Sequence, residues 1–283
     1  MSAILIDGKS LSARFRDEIA EDAKKFEQEK GRKLGLAVVL VGSNPASQVY
    51  VRNKVKACEQ TGVASYGYYL PEESTNEEVL ELVNTLNEDE KVDGLLVQLP
   101  LPRHIDEKRV LSAVSPLKDV DGFHAVNAGN LLLGNPCLAA CTPSGIMELI
   151  KTTGVDLAGK RAVVVGRSNI VGKPVALMLL EKNATVTVCH SRTKDLKEHT
   201  LLADILVVAI GKKEFITGDM IKPGAVVIDV GMNRDEGKLY GDVNFAQASE
   251  VAGYITPVPG GVGPMTITML LKNTVKAGYF GQK

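Results

Sequence analysis

The chain has 283 residues, enough for two modest domains or one large one with a proper apolar core. Hydrophobic residues make up 45% and charged residues 24%, and 33 basic side chains against 34 acidic ones leave a formal net charge of −1. That balance argues against a broad nucleic-acid or membrane surface, and no stretch approaches the roughly 20 uninterrupted apolar residues of a membrane span.

Residues 10–30 predict an amphipathic helix, with Leu11, Phe15, Ile19 and Phe26 on one side and Gly31 ending it. Leu36–Val41 is a buried strand. Gly42-Ser43-Asn44-Pro45 then gives a turn with a helix cap at Asn44, and the helix it opens runs to about Thr61 and stops at Gly62. A strand over 63–70, a helix over 76–88 and a strand over Val92–Leu99 complete a βαβαβ series. Residues 100–142 look like a loop-rich connection around a short helix near 106–113, and long connections are often functional. Thr142-Pro143-Ser144-Gly145 opens a helix to about residue 152. Strands follow near 161–165, 184–189, 204–210 and 225–230, then a rigid Pro/Gly loop over 256–266 and a last helix over about 265–278. The alternation predicts an α/β protein with parallel sheets. The opening Met1–Lys9 lacks the basic start and apolar length of a signal peptide. Cys58, Cys137, Cys141 and Cys189 have no zinc spacing and read as reduced thiols, so a cytoplasmic protein with no metal site is expected.

Arg161–Val165 is a β-branched run that stops at Gly166, and a helical stretch follows Gly172. A strand feeding a helix N-terminus favours a phosphate. The pattern is a variant of the dinucleotide fingerprint, with Ser168 at the second glycine's place and one extra residue before Gly172. An ordinary βα turn fits the same residues. NAD sites place a carboxylate about 20 residues on, whereas NADP sites supply a cation. Here the next strand ends in His190-Ser191-Arg192-Thr193, 191 − 166 = 25 residues on, with no carboxylate before Asp195. A hydroxyl and a guanidinium, with Arg167 in the glycine turn, favour NADP. A solvated turn carrying an arginine is the competing reading.

Tyr50 and Lys54 are four apart on one helix, just beside an apolar stripe of Val51, Val55 and Cys58. A lysine at a core margin is partly desolvated, which lowers its pKa and suits it to carry protons; a snorkelling lysine fits the spacing too. Gln98 closes an otherwise apolar strand, where α/β sheets place ligands, although a backbone partner would also satisfy it. Lys118-Asp119-Val120-Asp121-Gly122 puts carboxylates in the connection, with a turn-capping role as the alternative.

Five segments together carry a resemblance: Tyr50–Lys54, Gln98–Pro102, Pro116–Gly122, Gly166–Pro174 and Pro257–Thr266. In this order they make the chain similar, over essentially its whole length, to the bifunctional methylenetetrahydrofolate dehydrogenase/methenyltetrahydrofolate cyclohydrolase family. The resemblance implies two domains facing a cleft. One is an N-terminal three-layer α/β domain of residues 1–140 plus 267–283 that binds folate, and the other a Rossmann-like NADP-binding domain of residues 141–266. It also implies a homodimer. By the same resemblance Lys54 is the acid/base, Tyr50 stacks on the folate, Gln98 holds and tunes Lys54, and Asp121 hydrogen-bonds the pterin. Pro259, Gly260 and Gly261 line the substrate site. Gly166, Arg167, Ser168, Gly172, Ser191, Arg192 and Met232 bind NADP. One departure is Asn244, where many relatives carry aspartate.

The chemistry implied is hydride transfer from the one-carbon bridge of 5,10-methylenetetrahydrofolate to NADP, then hydrolysis of the methenyl product to 10-formyltetrahydrofolate. An NAD-linked, dehydrogenase-only relative is disfavoured by Ser191-Arg192 and by the Lys54/Gln98 pair. A catalytically silent NADP-binding protein would have lost Lys54, Gln98 or Asp121, and all three are present.

Overall fold

A computed structural model describes residues 2–280; residue 1 and residues 281–283, at the outer ends of the expected domain ranges, lie outside the described residues. In chain order the first elements are β1 (Ile4–Leu5), α1 (Gly8–Lys30), β2 (Gly35–Val41), α2 (Pro45–Thr61), β3 (Ala64–Leu70), α3 (Asn76–Glu88), β4 (Gly94–Val97), α4 (Glu107–Ala113), α5 (Ala125–Leu133) and α6 (Cys141–Thr152). Then come β5 (Arg161–Val165), α7 (Gly172–Glu181), β6 (Thr185–Cys189), α8 (Leu196–Thr200), β7 (Ile205–Val208), β8 (Val226–Asp229), β9 (Asn233–Asp235), β10 (Lys238–Tyr240), α9 (Phe245–Val251), β11 (Tyr254–Ile255) and α10 (Val262–Phe280). The chain divides into two α/β units. One is Ala13–Cys141 with the residues from Ile267 onward; the other is Thr142–Thr266 with the residues up to Ser12.

In the first unit three parallel strands lie in the order β3-β2-β4. All residues of the central strand β2 are buried, which is why it reads as an unbroken apolar run. Ala37, Val39, Leu95 and Val97 pack one sheet face against Val79, Val83 and Leu86 of α3 and Val110 of α4. A reciprocal cap between Thr75 and Glu78 starts α3. The Asn44 cap on α2 forms as the sequence predicts, its Oδ1 accepting from Ser47 N–H at 3.1 Å. The last helix packs closely here: a Cβ on Gly278 would lie 2.5 Å from Leu34 and 2.9 Å from Phe26. The 100–142 connection holds one helix that the sequence hides, α5. His124 caps its start and Gly134, at φ +71°, closes it. Its glycine and asparagines break the apolar period that would have revealed it.

The second unit is a six-stranded parallel sheet in the order β1-β11-β8-β7-β5-β6. β1 joins it through Ile4 and Leu5 beside Tyr254 and Ile255, so the first residues pack with this unit rather than with residues 13–141. Val163, Val165, Leu206, Val208 and Val227 fill its core. The strand order reverses between β5 and β7, and such a switch point opens a crevice at the strands' carboxyl ends. Asn244 caps α9, its Oδ1 accepting from Gln247 N–H at 3.1 Å. One side-chain oxygen suffices for that cap, and asparagine supplies it. Among the described residues, no helix is long and apolar enough to cross a membrane.

Candidate active site

On α2, Ser47, Val51, Lys54, Cys58 and Thr61 are buried at alternating spacings of four and three. Lys54 thus stands inside the apolar stripe, not beside it, at 8% exposure. Its Nζ donates to Gln98 Oε1 at 2.9 Å. Gln98 is the first residue beyond β4, and its Nε2 donates to the Leu99 carbonyl at 2.6 Å. That second bond orients the amide, so only the oxygen faces the lysine. Tyr50, one turn before Lys54, is 39% exposed.

Asp121 joins this group. Burial pushes its carboxyl up to about 6, the Lys54 charge draws it back, and Asp119 adds to the rise. Asp119 itself is structural: its oxygens accept from the N–H groups of Phe123 and His124 and from Asn127 Nδ2. Gly122 turns the chain at φ +74°, where a Cβ would lie 2.4 Å from the Ala139 carbonyl carbon. From α10, Asn273 Nδ2 donates to the Val120 and Ala139 carbonyls at 2.9 and 2.8 Å, fixing both strands of chain that flank Asp121. No motif pointed to Asn273; its only sequence signal is a carboxamide within a mostly apolar helix.

In the other unit, a cavity of about 430 Å³ lies at the switch point, with Gly166 and Arg167 on the β5 side and Ala209, Ile210 and Lys212 on the β7 side. His190, Ser191 and Thr193 bound it where β6 ends. Gly166 has φ +128°, and a Cβ there would lie 2.3 Å from the Ala209 carbonyl oxygen. A Cβ on Gly172 would lie 2.2 Å from the Gly166 oxygen. Both positions therefore demand glycine. Ser168 Oγ accepts from the N–H groups of Val171 and Gly172 at 3.1 and 3.3 Å, so the hydroxyl builds the turn into α7. A tight glycine turn, a helix N-terminus, an exposed hydroxyl at Ser191 and cations at Arg167 and Lys212 suit a phosphorylated nucleotide. Among the described residues, Ser191 and not Arg192 lines the cavity. Arg192 is exposed, and its N–H donates to His190 Nδ1 at 3.2 Å within the turn.

Lys54, Gln98, Asp121 and Tyr50 thus belong to one unit, and the nucleotide cavity to the other. Pro259, Gly260 and Gly261 lie in the cavity-bearing unit, tied to the start of α1 by Lys9 N–H donating to Gly260 O at 3.0 Å. Met232 is in the same unit and is 47% exposed.

A nucleotide-binding α/β unit joined to one with a buried lysine–amide pair defines a dinucleotide-dependent enzyme of two α/β units. Comparisons sharpen that class. A family model for the tetrahydrofolate dehydrogenase/cyclohydrolase catalytic domain matches residues 6–121, and one for its NAD(P)-binding domain matches residues 140–280. Bifunctional protein FolD of Acetivibrio thermocellus is 59% identical over 287 residues, covering 100% of this chain and 99% of its own. The structure of the bifunctional enzyme FolD, methylenetetrahydrofolate dehydrogenase/cyclohydrolase, from Campylobacter jejuni superposes with a TM-score of 0.96 at 52% identity, over 98% of this chain and 99% of that one. The Trypanosoma brucei dehydrogenase–cyclohydrolase, solved with NADP cofactor and inhibitor, gives 0.94 at 42% identity over 98% of each chain. The chain belongs to the tetrahydrofolate dehydrogenase/cyclohydrolase family.

Proposed function

We infer that the protein is a bifunctional NADP-dependent methylenetetrahydrofolate dehydrogenase and methenyltetrahydrofolate cyclohydrolase. It oxidises 5,10-methylenetetrahydrofolate to the methenyl form and hydrolyses that to 10-formyltetrahydrofolate, within one-carbon metabolism. The observation that carries this reading is the buried Lys54–Gln98 pair beside the raised Asp121 carboxyl, in a chain of this family.

NADP, when bound, supplies the hydride acceptor. The residues that hold it in this reading are Gly166, Arg167, Ser168, Gly172, Ser191, Arg192 and Met232; the closely fitted glycine turn supports the first four, and the cavity lining supports Ser191. The chemistry left to the protein is orientation and proton movement. Tyr50 offers a half-exposed ring as a stacking face for the pterin, and Asp121 a carboxyl for its hydrogen-bonding edge. Pro259, Gly260 and Gly261 contribute backbone at the substrate site. Hydrolysis of the methenyl cation needs a proton removed from water and one returned to nitrogen; Lys54 Nζ serves both, and Gln98 Oε1 holds it in place. The unit of residues 13–141 with the last helix carries the folate chemistry, and the unit of residues 142–266 holds the cofactor. The reading extends to a homodimer, supported by the family resemblance, and to a cytoplasmic location, supported by four buried free thiols.

A single time course tests it. Purified protein with methylenetetrahydrofolate and NADP should produce methenyl absorbance that then decays faster than without protein. No rise in absorbance would refute the dehydrogenase, and uncatalysed decay the cyclohydrolase.

A further inference from the structure

Beside the nucleotide cavity lies a cluster that shapes one wall. After β7 the chain turns through Ile210, Gly211 and Lys212, with Gly211 at φ +66°. Asp242, fully buried, gathers that turn: Oδ2 accepts from the N–H groups of Ile210 and Gly211 at 2.7 and 2.9 Å. Its Oδ1 accepts from Lys212 N–H at 2.8 Å and from Asn233 Nδ2 at 2.9 Å. Consecutive N–H groups converging on one carboxylate fix the peptide planes between them. Asp242 is itself held, because its own N–H donates to Asp229 Oδ1 at 2.8 Å while Val243 N–H donates to Asp229 Oδ2 at 3.0 Å. Two glycines make room for this packing. A Cβ on Gly231 would lie 2.4 Å from Asp242 Oδ1, and one on Gly241 1.7 Å from Asp229 Oδ2.

Of the two side chains that this fixed turn presents to the cavity, Ile210 and Lys212, the charged one is Lys212. Its Nζ stands 5.1 Å from the centre of the Phe215 ring, another wall residue, which favours an ammonium at the rim. Arg167 brings a second cation to the same space of about 430 Å³, and no carboxylate lines it among the described residues. Two cations lining one small cavity, with the Ser191 hydroxyl on its β6 side, are stabilised by an anion bound there.

We propose that Lys212, aimed by Asp242, is a specificity-determining residue of the cofactor site, reading the 2′-phosphate of NADP together with Arg167 and Ser191. Asp242 is then a positioning residue that acts through Lys212. The proposal rests on the NADP reading above, and its test separates the two.

Calorimetric titration of wild type, Lys212→Ala, Lys212→Arg, Asp242→Asn and the Asp242→Asn/Lys212→Ala double variant with NADP and NAD gives the NADP preference of each. Lys212 is exposed, so its replacement leaves the fold intact. Lys212→Ala should weaken NADP binding about tenfold while NAD changes less than about twofold, the loss expected for one charge-assisted phosphate contact. Lys212→Arg should keep most of the preference. Asp242→Asn should reduce the preference, and the double variant should reduce it no further than Lys212→Ala alone. Equal weakening of NADP and NAD in Lys212→Ala, or full additivity in the double variant, would overturn the inference. A wild type without any preference for NADP would instead remove the reading beneath it, and the inference with it.

Discussion

Lys54 Nζ donates to Gln98 Oε1 at 2.9 Å, and both residues are at least nine-tenths buried. A charged or proton-carrying nitrogen withdrawn from water and held by one oriented amide is costly to fold around, and a proton-transfer role explains its presence. Lys54→Met keeps the aliphatic stem in the stripe of Val51 and Cys58 while removing the nitrogen. Hydrolysis of methenyltetrahydrofolate should then fall by roughly 10²–10⁴-fold, the usual contribution of a positioned acid/base. NADP affinity, measured by titration, should stay near wild type because the nucleotide cavity draws on no residue of α2. Hydrolysis that survives the change would remove Lys54 from the mechanism.

Asp121 gives a pH dependence whose sign can be worked out. Burial raises its carboxyl from 3.8 to about 6, so between those values the native state binds a proton that the unfolded chain has released. Native stability is therefore gained as pH falls from about 6 toward 4, and lost as pH rises through that window. Asp229, raised to about 6 for the same reason, contributes alongside it. Asp121→Asn should roughly halve the slope of stability against pH over this range, read from urea denaturation at several pH values. In activity, protonation of Asp121 removes a negative charge that faces Lys54. The acid limb of the hydrolysis profile should thus fall near pH 6 in wild type and be absent in Asp121→Asn. An unchanged limb in the variant would assign it to another group.

Much of this architecture was legible in the chain because it rests on local signals. The unbroken apolar runs that became β2, β5 and β7, the Asn44 cap and the Gly31 stop each follow from a few neighbouring residues. For Lys54 and Gln98 the local pattern leaves a snorkelling lysine and a backbone-bonded glutamine open; the family resemblance pairs them, and the structure brings them together at 2.9 Å. What escaped was non-local. β1 is two residues long and pairs with a strand some 250 positions away (254 − 4 = 250), so no periodicity marks it. Asp242 gathers a turn 30 to 32 positions earlier in the chain. A lone aspartate of that kind reads as a loop residue until the backbone donors around it are known.

Asn273 is a second such case, and it bears on the folate side. Its amide bonds the Val120 and Ala139 carbonyls on either side of Asp121 and approaches Cys141 Sγ at 3.6 Å. Asn273→Leu is similar in size but leaves the Ala139 carbonyl without its donor and the Val120 carbonyl with Cys141 Sγ alone at 3.1 Å, which costs about 1–3 kcal/mol when they are buried. The apparent melting temperature should drop, and the Michaelis constant for methylenetetrahydrofolate should rise because the chain around Asp121 is released. The constant for NADP should change little. A fall in stability with both constants unaltered would confine Asn273 to a scaffold role.

The cofactor side separates two arginines that look equivalent in the sequence. Arg167 follows Gly166 directly and lines the nucleotide cavity, whereas Arg192 points from an exposed turn whose serine, Ser191, is the residue that reaches the wall. Both side chains are exposed, but Arg167 already lines the cavity whereas Arg192 must be brought to it, so Arg167 has less to reorganise on meeting a phosphate. Arg167→Ala should therefore raise the Michaelis constant for NADP about tenfold or more, the loss of a charge-assisted pair, and that for NAD much less. Arg192→Ala should shift the NADP constant by a smaller factor, one that shrinks further as salt is added because the side chain is solvated. Initial-rate measurements with both cofactors at two ionic strengths decide the order. If Arg192→Ala proves the more damaging, the turn over residues 190–193 closes onto the nucleotide when it binds, and Arg192 shares in reading its phosphate.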